Sequence, residues 1–344
     1  MPFTDDVRGQ PAVLRRLVEA YGGHQAATLA RAVAVLEGAG DRPLLVVGMG
    51  SSLFAGRVLA RDGNRLVVLE DAGELLHYGL GTARGAGAVL AISQSGRSYE
   101  TVAVVERIRR SAPTIPVVAL VNEPDSPLGA AADVVLPLLA GAEASVATKT
   151  YTAAVAILLI LEAGGLDARL AADLQRTADA MDALAASGAA EAAADLLAGC
   201  AALVMVGRGP SLGSAEYAAL TTKECTAQPA EAMSGGAFRH GPLELAGPAT
   251  GVVVLAPAGR TAALGAALAA EAAALGSPTW LLGGEEATRR ASARLLVTGL
   301  PALPETLGAL VTIVPLQLAA AELARAAGRE PGITRIATKV TDRE

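Results

Sequence analysis

The sequence predicts an α/β protein of two tandem domains, each a doubly wound, mainly parallel sheet flanked by helices. Three observations predict it. The run Leu45-Val46-Val47-Gly48-Met49-Gly50-Ser51-Ser52-Leu53 returns 159 residues later as Val204-Met205-Val206-Gly207-Arg208-Gly209-Pro210-Ser211-Leu212, and self-similarity near half the chain length marks a duplication. Strand-length apolar runs alternate with helix-length segments after each copy, the pattern of parallel strands joined by crossover helices. Hydrophobic residues make up 52% of the 344 residues and charged ones 18%, enough apolar mass to cover a sheet on both faces.

The elements follow in order. Residues 1–24 form a lead-in, and residues 25–165 the first domain, with strands predicted at 66–70, 88–93, 117–122 and 134–138 after the first repeat copy. A long apolar helix over 149–163 closes it. The Ala-rich stretch 170–197 reads as helical, within a linker spanning 166–198. Residues 199–328 form the second domain, with strands at 251–256, 279–282 and 295–298 and a closing helix over 306–327. Residues 329–344 are a tail expected to close over the site. Aromatic residues are only 3%, so the cores must be built mainly of Ala, Val and Leu.

Composition also excludes several classes. The mean hydropathy of +0.43 raises the question of a membrane span, which needs about 20 nearly uninterrupted apolar residues. The stretch 151–162 is too short, and 307–323 is interrupted by Thr312, Pro315 and Gln317; both read as buried helices, and no membrane partner is expected. The start Met1-Pro2-Phe3-Thr4-Asp5-Asp6 lacks a basic and then apolar leader, which points to the cytoplasm. Cys200 and Cys225 are the only cysteines, too few for a disulfide framework or a thiolate metal cluster. No metal or organic cofactor is indicated. A net charge of −6 argues against nucleic acid but leaves room for a small anion held by backbone N–H groups and hydroxyls at a helix N-terminus.

Three constellations carry chemistry. In Ala91-Ile92-Ser93-Gln94-Ser95-Gly96-Arg97-Ser98 an apolar strand ends in hydroxyls, an amide and a glycine before a helix begins near Tyr99. Ligands of open α/β sheets bind at the carboxyl ends of strands, so Ser93, Gln94, Ser95 and Ser98 are placed to surround a phosphate. A Ser cap alone does not require so many polar groups. The corresponding Leu255-Ala256-Pro257-Ala258-Gly259 has no hydroxyls, so one phosphate site is expected, in the first domain. Gly48-Met49-Gly50-Ser51-Ser52 begins like a dinucleotide fingerprint, but Leu53 replaces its third glycine; Ser51 and Ser52 fit as further phosphate or sugar contacts, or as plain helix caps. The third constellation pairs Glu224, near the end of a helix begun at Leu212, with His240, sixteen residues on in a Gly-rich loop. A carboxylate and an imidazole at one site give a general base and a proton donor; the alternative is a surface carboxylate and a loop histidine.

Ser93-Gln94-Ser95-Gly96, Lys223-Glu224 and Phe238-Arg239-His240-Gly241-Pro242 together resemble the double-SIS (sugar isomerase) family of sugar-phosphate enzymes. The family includes the isomerase half of glutamine–fructose-6-phosphate aminotransferase and stand-alone glucosamine-6-phosphate deaminases and fructosamine-phosphate deglycases. Val206-Gly207-Arg208-Gly209 and Lys339-Val340-Thr341 resemble the stand-alone group, and the likeness runs from about residue 25 to the C-terminus. It implies tandem SIS domains and a phosphorylated sugar or aminosugar as substrate. Ser51, Ser52, Ser93, Gln94, Ser95 and Ser98 would form the phosphate cradle, with Ala147 and Thr148 at the sugar. It implies Glu224 as the base moving a proton between C1 and C2, and His240 as the ring-opening residue entering from the neighbouring subunit of a homodimer. Lys339 would lie over the open-chain carbonyl. The best-matching activity is glucosamine-6-phosphate deamination or isomerisation; a deglycase, another phosphosugar isomerase and a non-catalytic sugar-phosphate sensor are the alternatives. This chain departs from the family pattern in three places. The loop Glu143-Ala144-Ser145-Val146-Ala147-Thr148-Lys149 is one residue short, with Ala147 where the synthase carries a Ser. Thr221 and Thr222 replace Lys-Leu, and the synthase register puts Thr338 where the tail lysine belongs. The start Met1-Pro2 offers no N-terminal Cys to release ammonia from glutamine, so glutamine-dependent synthesis is not expected.

Overall fold

The protein is described from a computed structural model covering residues 2–59, 65–284 and 292–336. The chain begins with α1 (Phe3–Arg8), α2 (Gln10–Gly22) and α3 (Ala26–Gly38). The first sheet region follows: β1 (Leu44–Gly48), α4 (Ser51–Ala55), β2 (Val67–Asp71), α5 (Ala72–Tyr78), α6 (Leu80–Gly85) and β3 (Ala88–Ser93). It continues through α7 (Tyr99–Ser111), β4 (Val117–Val121), α8 (Pro127–Ala131), β5 (Val134–Pro137) and α9 (Lys149–Glu162). Two helices come next, α10 (Ala168–Ala185) and α11 (Ala189–Leu197). The second sheet region holds β6 (Ala202–Gly207), α12 (Ser211–Thr226), β7 (Ala230–Ser234), α13 (Gly235–Arg239), β8 (Thr250–Ala256) and α14 (Ala262–Ala274). Its last described elements are β9 (Thr279–Gly283), β10 (Leu295–Gly299), α15 (Glu305–Val311) and α16 (Ile313–Ala326).

Each sheet has five parallel strands. The first runs β2-β1-β3-β4-β5 and the second β7-β6-β8-β9-β10. The two orders are identical when β6 is matched to β1, which turns the sequence repeat into a repeat of topology. The inner strands are buried along nearly their whole length: β1, β3, β4 and β9 at every residue, β6 and β8 at all but the first. The edge strands β2, β5, β7 and β10 are only partly covered. Their content follows: Val and Leu dominate the inner strands, as expected of parallel strands covered on both faces. One core gathers Leu45, Val47, Val89, Val104, Ile108, Val117 and Val121; the other gathers Val204, Val206, Val252, Val254, Leu268 and Leu281.

The chain divides into two compact units. One holds the first sheet, with residues 13–142 and 149–172; the other holds the second sheet, with residues 1–12, 143–148 and 173–336. The segment Glu143–Thr148, between β5 and α9 in sequence, thus belongs to the second-sheet unit. In that unit α11, inside the stretch expected to join the halves, packs on α16 and the β9–β10 edge.

Three details differ from the sequence reading. β7 was not expected, because Ala230-Glu231-Ala232-Met233-Ser234 has no β-branched or aromatic residue; it forms through pairing with β6. The stretch 170–197 is two helices, broken at Ser187 and Gly188, the latter left-handed at φ 72°. The closing helix over 306–327 is also two, parted at Thr312. Pro315 has no N–H to give to the Val311 carbonyl, and near the break Thr312 Oγ1 and Ser214 Oγ both donate to the Ala309 carbonyl. The span Glu305–Ala326 is, among the described residues, the one helical stretch long and apolar enough to cross a membrane, and 94% of its apolar window is buried in the protein, as a core helix requires. α9 is likewise buried at every residue but Glu162, which identifies it as a core helix.

Candidate active site

In sheets of this strand order the switch point lies where the first strand meets the third, and ligands bind at the carboxyl ends there. In the first-sheet unit that place is the pair of loops after β1 and β3. Gly50 turns the first loop with φ 48°, as Gly209 does at φ 52° in the second copy. Ser51 and Ser52 open α4, and they line one small cavity together with Gln94 and with Thr150 and Tyr151 of α9. Thr150 and Tyr151 were missed from the sequence; their one signal was their place just after the 143–149 loop.

The β3–α7 loop is shaped by its own hydroxyls. Ser93 Oγ accepts from the Gly96 N–H at 3.1 Å and lies 3.2 Å from Ser98 Oγ. Ser95 Oγ accepts from the Arg97 N–H at 3.1 Å. A hydroxyl whose lone pair already takes a backbone N–H has its own O–H left to give, which suits an anionic guest. Ser98 stands at the N-cap of α7 but makes no capping bond, so capping does not account for it. Both Ser93 and Ser95 are buried. Gly96, at φ 63°, has no space for a side chain: a Cβ there would lie 2.0 Å from Ser126 Oγ, the hydroxyl that caps α8 by accepting from the Gly129 N–H. Gly96→Ala is therefore expected to lower thermal stability, by about 1–2 kcal/mol from the left-handed backbone alone, and to weaken phosphosugar binding through loop displacement. Melting curves and a ligand titration check both.

The matching place in the second-sheet unit has been rebuilt. Gly259-Arg260-Thr261 repeats Gly96-Arg97-Ser98, but Ala256, Pro257 and Ala258 stand where Ser93, Gln94 and Ser95 would be. The Arg260 N–H, counterpart of the Arg97 N–H, donates to Glu305 Oε2 at 3.3 Å. A carboxylate of the chain itself sits where the first loop leaves hydroxyls.

Glu224, Ala147, Thr148 and His240 all lie in the second-sheet unit. Glu224 is half-buried in the last turns of α12, and burial pushes its carboxyl up to about 7, partly offset by the neighbouring Lys223 ammonium. Next to it, burial pushes the Cys225 thiol up to about 12, so that sulfur is held protonated and unreactive. α12 ends at left-handed Ala227. The β7–α13 turn follows, with Ser234 Oγ accepting from the Ala237 N–H, and His240 is exposed just past α13. Thr148 is buried, and its N–H and Oγ1 both donate to Glu143 Oε2 at 3.2 Å, closing the 143–148 loop on itself. The loop is tied down at two further points. The Ala144 N–H donates to buried Asp6 Oδ2 at 2.7 Å, and the Tyr217 hydroxyl donates to the Ala147 carbonyl at 2.6 Å. Lys339 lies outside the described residues.

The SIS domain family profile matches residues 40–162 and 196–327. The chain is 36% identical over 74% of its length to an isomerizing glutamine–fructose-6-phosphate aminotransferase of Aeropyrum pernix, and 32% identical over 87% to that of Pyrococcus horikoshii. It spans 43% and 51% of those proteins, about half their length. Among solved structures it superposes on the C-terminal domain of glucosamine-fructose-6-phosphate aminotransferase from Francisella tularensis with a TM-score of 0.82, at 20% identity and covering 97% of this chain and 98% of that one. A glucosamine-6-phosphate deaminase from Thermotoga maritima gives 0.77 at 21% identity, covering 98% of each chain. Those two share its fold. Two profile matches, one on each repeat, over a duplicated sheet of a single topology establish that the chain belongs to the SIS domain family.

Proposed function

We propose that this chain acts on a phosphorylated aminosugar or ketose, opening its ring and moving a proton between C1 and C2, with glucosamine 6-phosphate as the best-matching substrate. The observation that carries the proposal is Glu224. A general base is most effective with a pKa near the working pH, and burial brings this carboxyl to about 7. The hydroxyl-rich β3–α7 loop supports a phosphate anchor, and the names of the relatives supply the sugar.

In the proposed sequence Ser51, Ser52, Ser93, Gln94, Ser95 and Ser98 hold the phosphate, while Ala147 and Thr148 belong to the loop facing the sugar. His240 passes the proton that opens the ring. The ionised Glu224 takes the C2 proton of the open-chain aminosugar, leaving an enolamine, and returns it to C1. Water then hydrolyses the resulting C2 imine to the ketose phosphate and ammonia. His240 is exposed, which suits a proton donor offered to a neighbouring subunit of a homodimer. Lys339 takes the place over the carbonyl in this scheme.

A coupled assay for ammonia release from glucosamine 6-phosphate tests the reading. Release is expected from the wild-type chain and absent from Glu224→Gln. Interconversion of ketose and aldose phosphates without ammonia would keep the proton transfer and remove the deamination. Binding with no turnover of either kind would make the chain a sensor and overturn the proposal.

A further inference from the structure

A buried polar chain runs through the second-sheet unit toward the 143–148 loop. Gln10 Nε2 donates to the Val7 carbonyl at 2.9 Å and to Gln317 Oε1 at 2.6 Å. Gln317 Nε2 donates to the Tyr217 hydroxyl, which donates in turn to the Ala147 carbonyl. Gln10, Gln317 and Tyr217 are each at most 1% exposed. Two amides and a phenol taken out of water are costly unless each finds partners, and here every link is made. The chain ends on a backbone carbonyl of a loop, where a packing role alone would need no hydroxyl.

Tyr217 also shares its helix with Glu224. Seven residues separate them on α12, two turns that return to the same face within about 20° and about 10 Å along the axis. The segment that α12 grips is the one whose Ala147 and Thr148 are proposed to face the sugar, while the same helix carries the proposed base. Asp6 holds the other end of the segment through Ala144, and Glu143 closes it through Thr148.

We propose that Tyr217 is a positioning residue: its hydroxyl fixes the 143–148 loop in register with Glu224, so that α12 acts as one rigid ruler for sugar contact and proton transfer. This inference rests on the reading of 143–148 as the sugar-facing loop. It adds a residue that no motif supplies, since the partners of the Tyr217 hydroxyl lie 70 and 100 residues away in sequence.

The test is Tyr217→Phe, which keeps the ring and removes the hydroxyl. Amide exchange over 143–148 is measured by mass spectrometry, alongside kcat and KM with glucosamine 6-phosphate and the Kd of fructose 6-phosphate. Expected are exchange at least ten times faster in that segment and a roughly tenfold rise in KM and Kd, with kcat changed less than threefold. Should the lone variant fold poorly because Gln317 loses its partner, Tyr217→Phe with Gln317→Met removes both ends of the bond and is read in the same way. Unchanged exchange overturns the anchor. Faster exchange with unchanged KM and Kd overturns the positioning role while leaving Glu224 as the base untouched. A wild-type chain that binds neither hexose phosphate overturns the proposed function, and this inference with it.

Discussion

Glu224→Gln is expected to lower kcat by about 10²–10⁴, the range over which a positioned general base contributes, while phosphosugar affinity stays within a few-fold. The amide keeps the shape and much of the hydrogen bonding but cannot take a proton. In the wild type the rate should depend on pH through the same group. The base works only when ionised, so kcat/KM should fall as pH drops below about 7, the value to which burial raises Glu224. The same shift has a consequence for stability. The folded-state value lies above the ordinary 4.5, so the native chain binds more protons than the unfolded chain between those two values, and stability falls as pH rises through that window. Glu224→Gln carries no such penalty. Its melting temperature should therefore gain on the wild type as pH rises from about 4.5 to about 7 and hold that gain above. A pH series of melting curves checks this without any substrate. A flat difference would mean that Glu224 titrates as an ordinary surface carboxylate.

Ser95→Ala combined with Ser98→Ala is expected to have the largest effect on binding. Hydrogen bonds to a charged group contribute about 1.5–3 kcal/mol each. Losing two should weaken phosphosugar binding by about 3–6 kcal/mol, a factor of roughly 10²–10⁴. Ser95 also accepts from the Arg97 N–H, so part of the effect will come from a relaxed loop. Binding of a non-phosphorylated hexose should be insensitive to the pair, and calorimetry with sugar and sugar phosphate separates the two contributions. Equal loss for both ligands would place the phosphate elsewhere.

The proposed cradle could be put forward from sequence because its residues are local. Ser93, Gln94, Ser95 and Ser98 crowd one strand-to-helix turn, and neither capping nor packing explains so many polar groups in so few residues. The sheets were legible for a related reason, since buried parallel strands are continuous runs of Val, Leu and Ile, and the repeat of Gly48 and Gly50 in Gly207 and Gly209 marked the duplication. β7 escaped because an edge strand of Ala, Glu and Met has no intrinsic signal and is defined by its neighbour β6. The break at Thr312 escaped because periodicity sees one apolar face continuing through it, whereas Pro315 leaves the Val311 carbonyl without its helical donor. The place of Thr150 and Tyr151 beside Ser51, Ser52 and Gln94, and the bonds of Tyr217 and Asp6 to the 143–148 loop, were not legible. Tyr217 and Asp6 act on backbone atoms 70 and 138 positions away, and no spacing rule connects residues that meet only in the folded unit. The raised pKa of Glu224 belongs to the same group, since sequence shows a carboxylate but not how much water it keeps.

The two β–α turns at the switch points differ in what completes them. After β8, the loop entering α14 is already met by the Glu305 carboxylate of the same chain, which accepts from the Arg260 N–H. After β3, the equivalent turn carries hydroxyls, which the proposed function assigns to a phosphate arriving by diffusion. One turn of the duplicated pair is thus met by a carboxylate of its own chain, and under the proposed function the other is completed by the substrate. A ligand that binds only the folded state raises stability in proportion to the logarithm of its concentration. Under the proposed function the level of phosphosugar should therefore raise the resistance to unfolding and proteolysis of both units, since Glu224, Ala147 and Thr148 of the second-sheet unit are assigned to the same sugar.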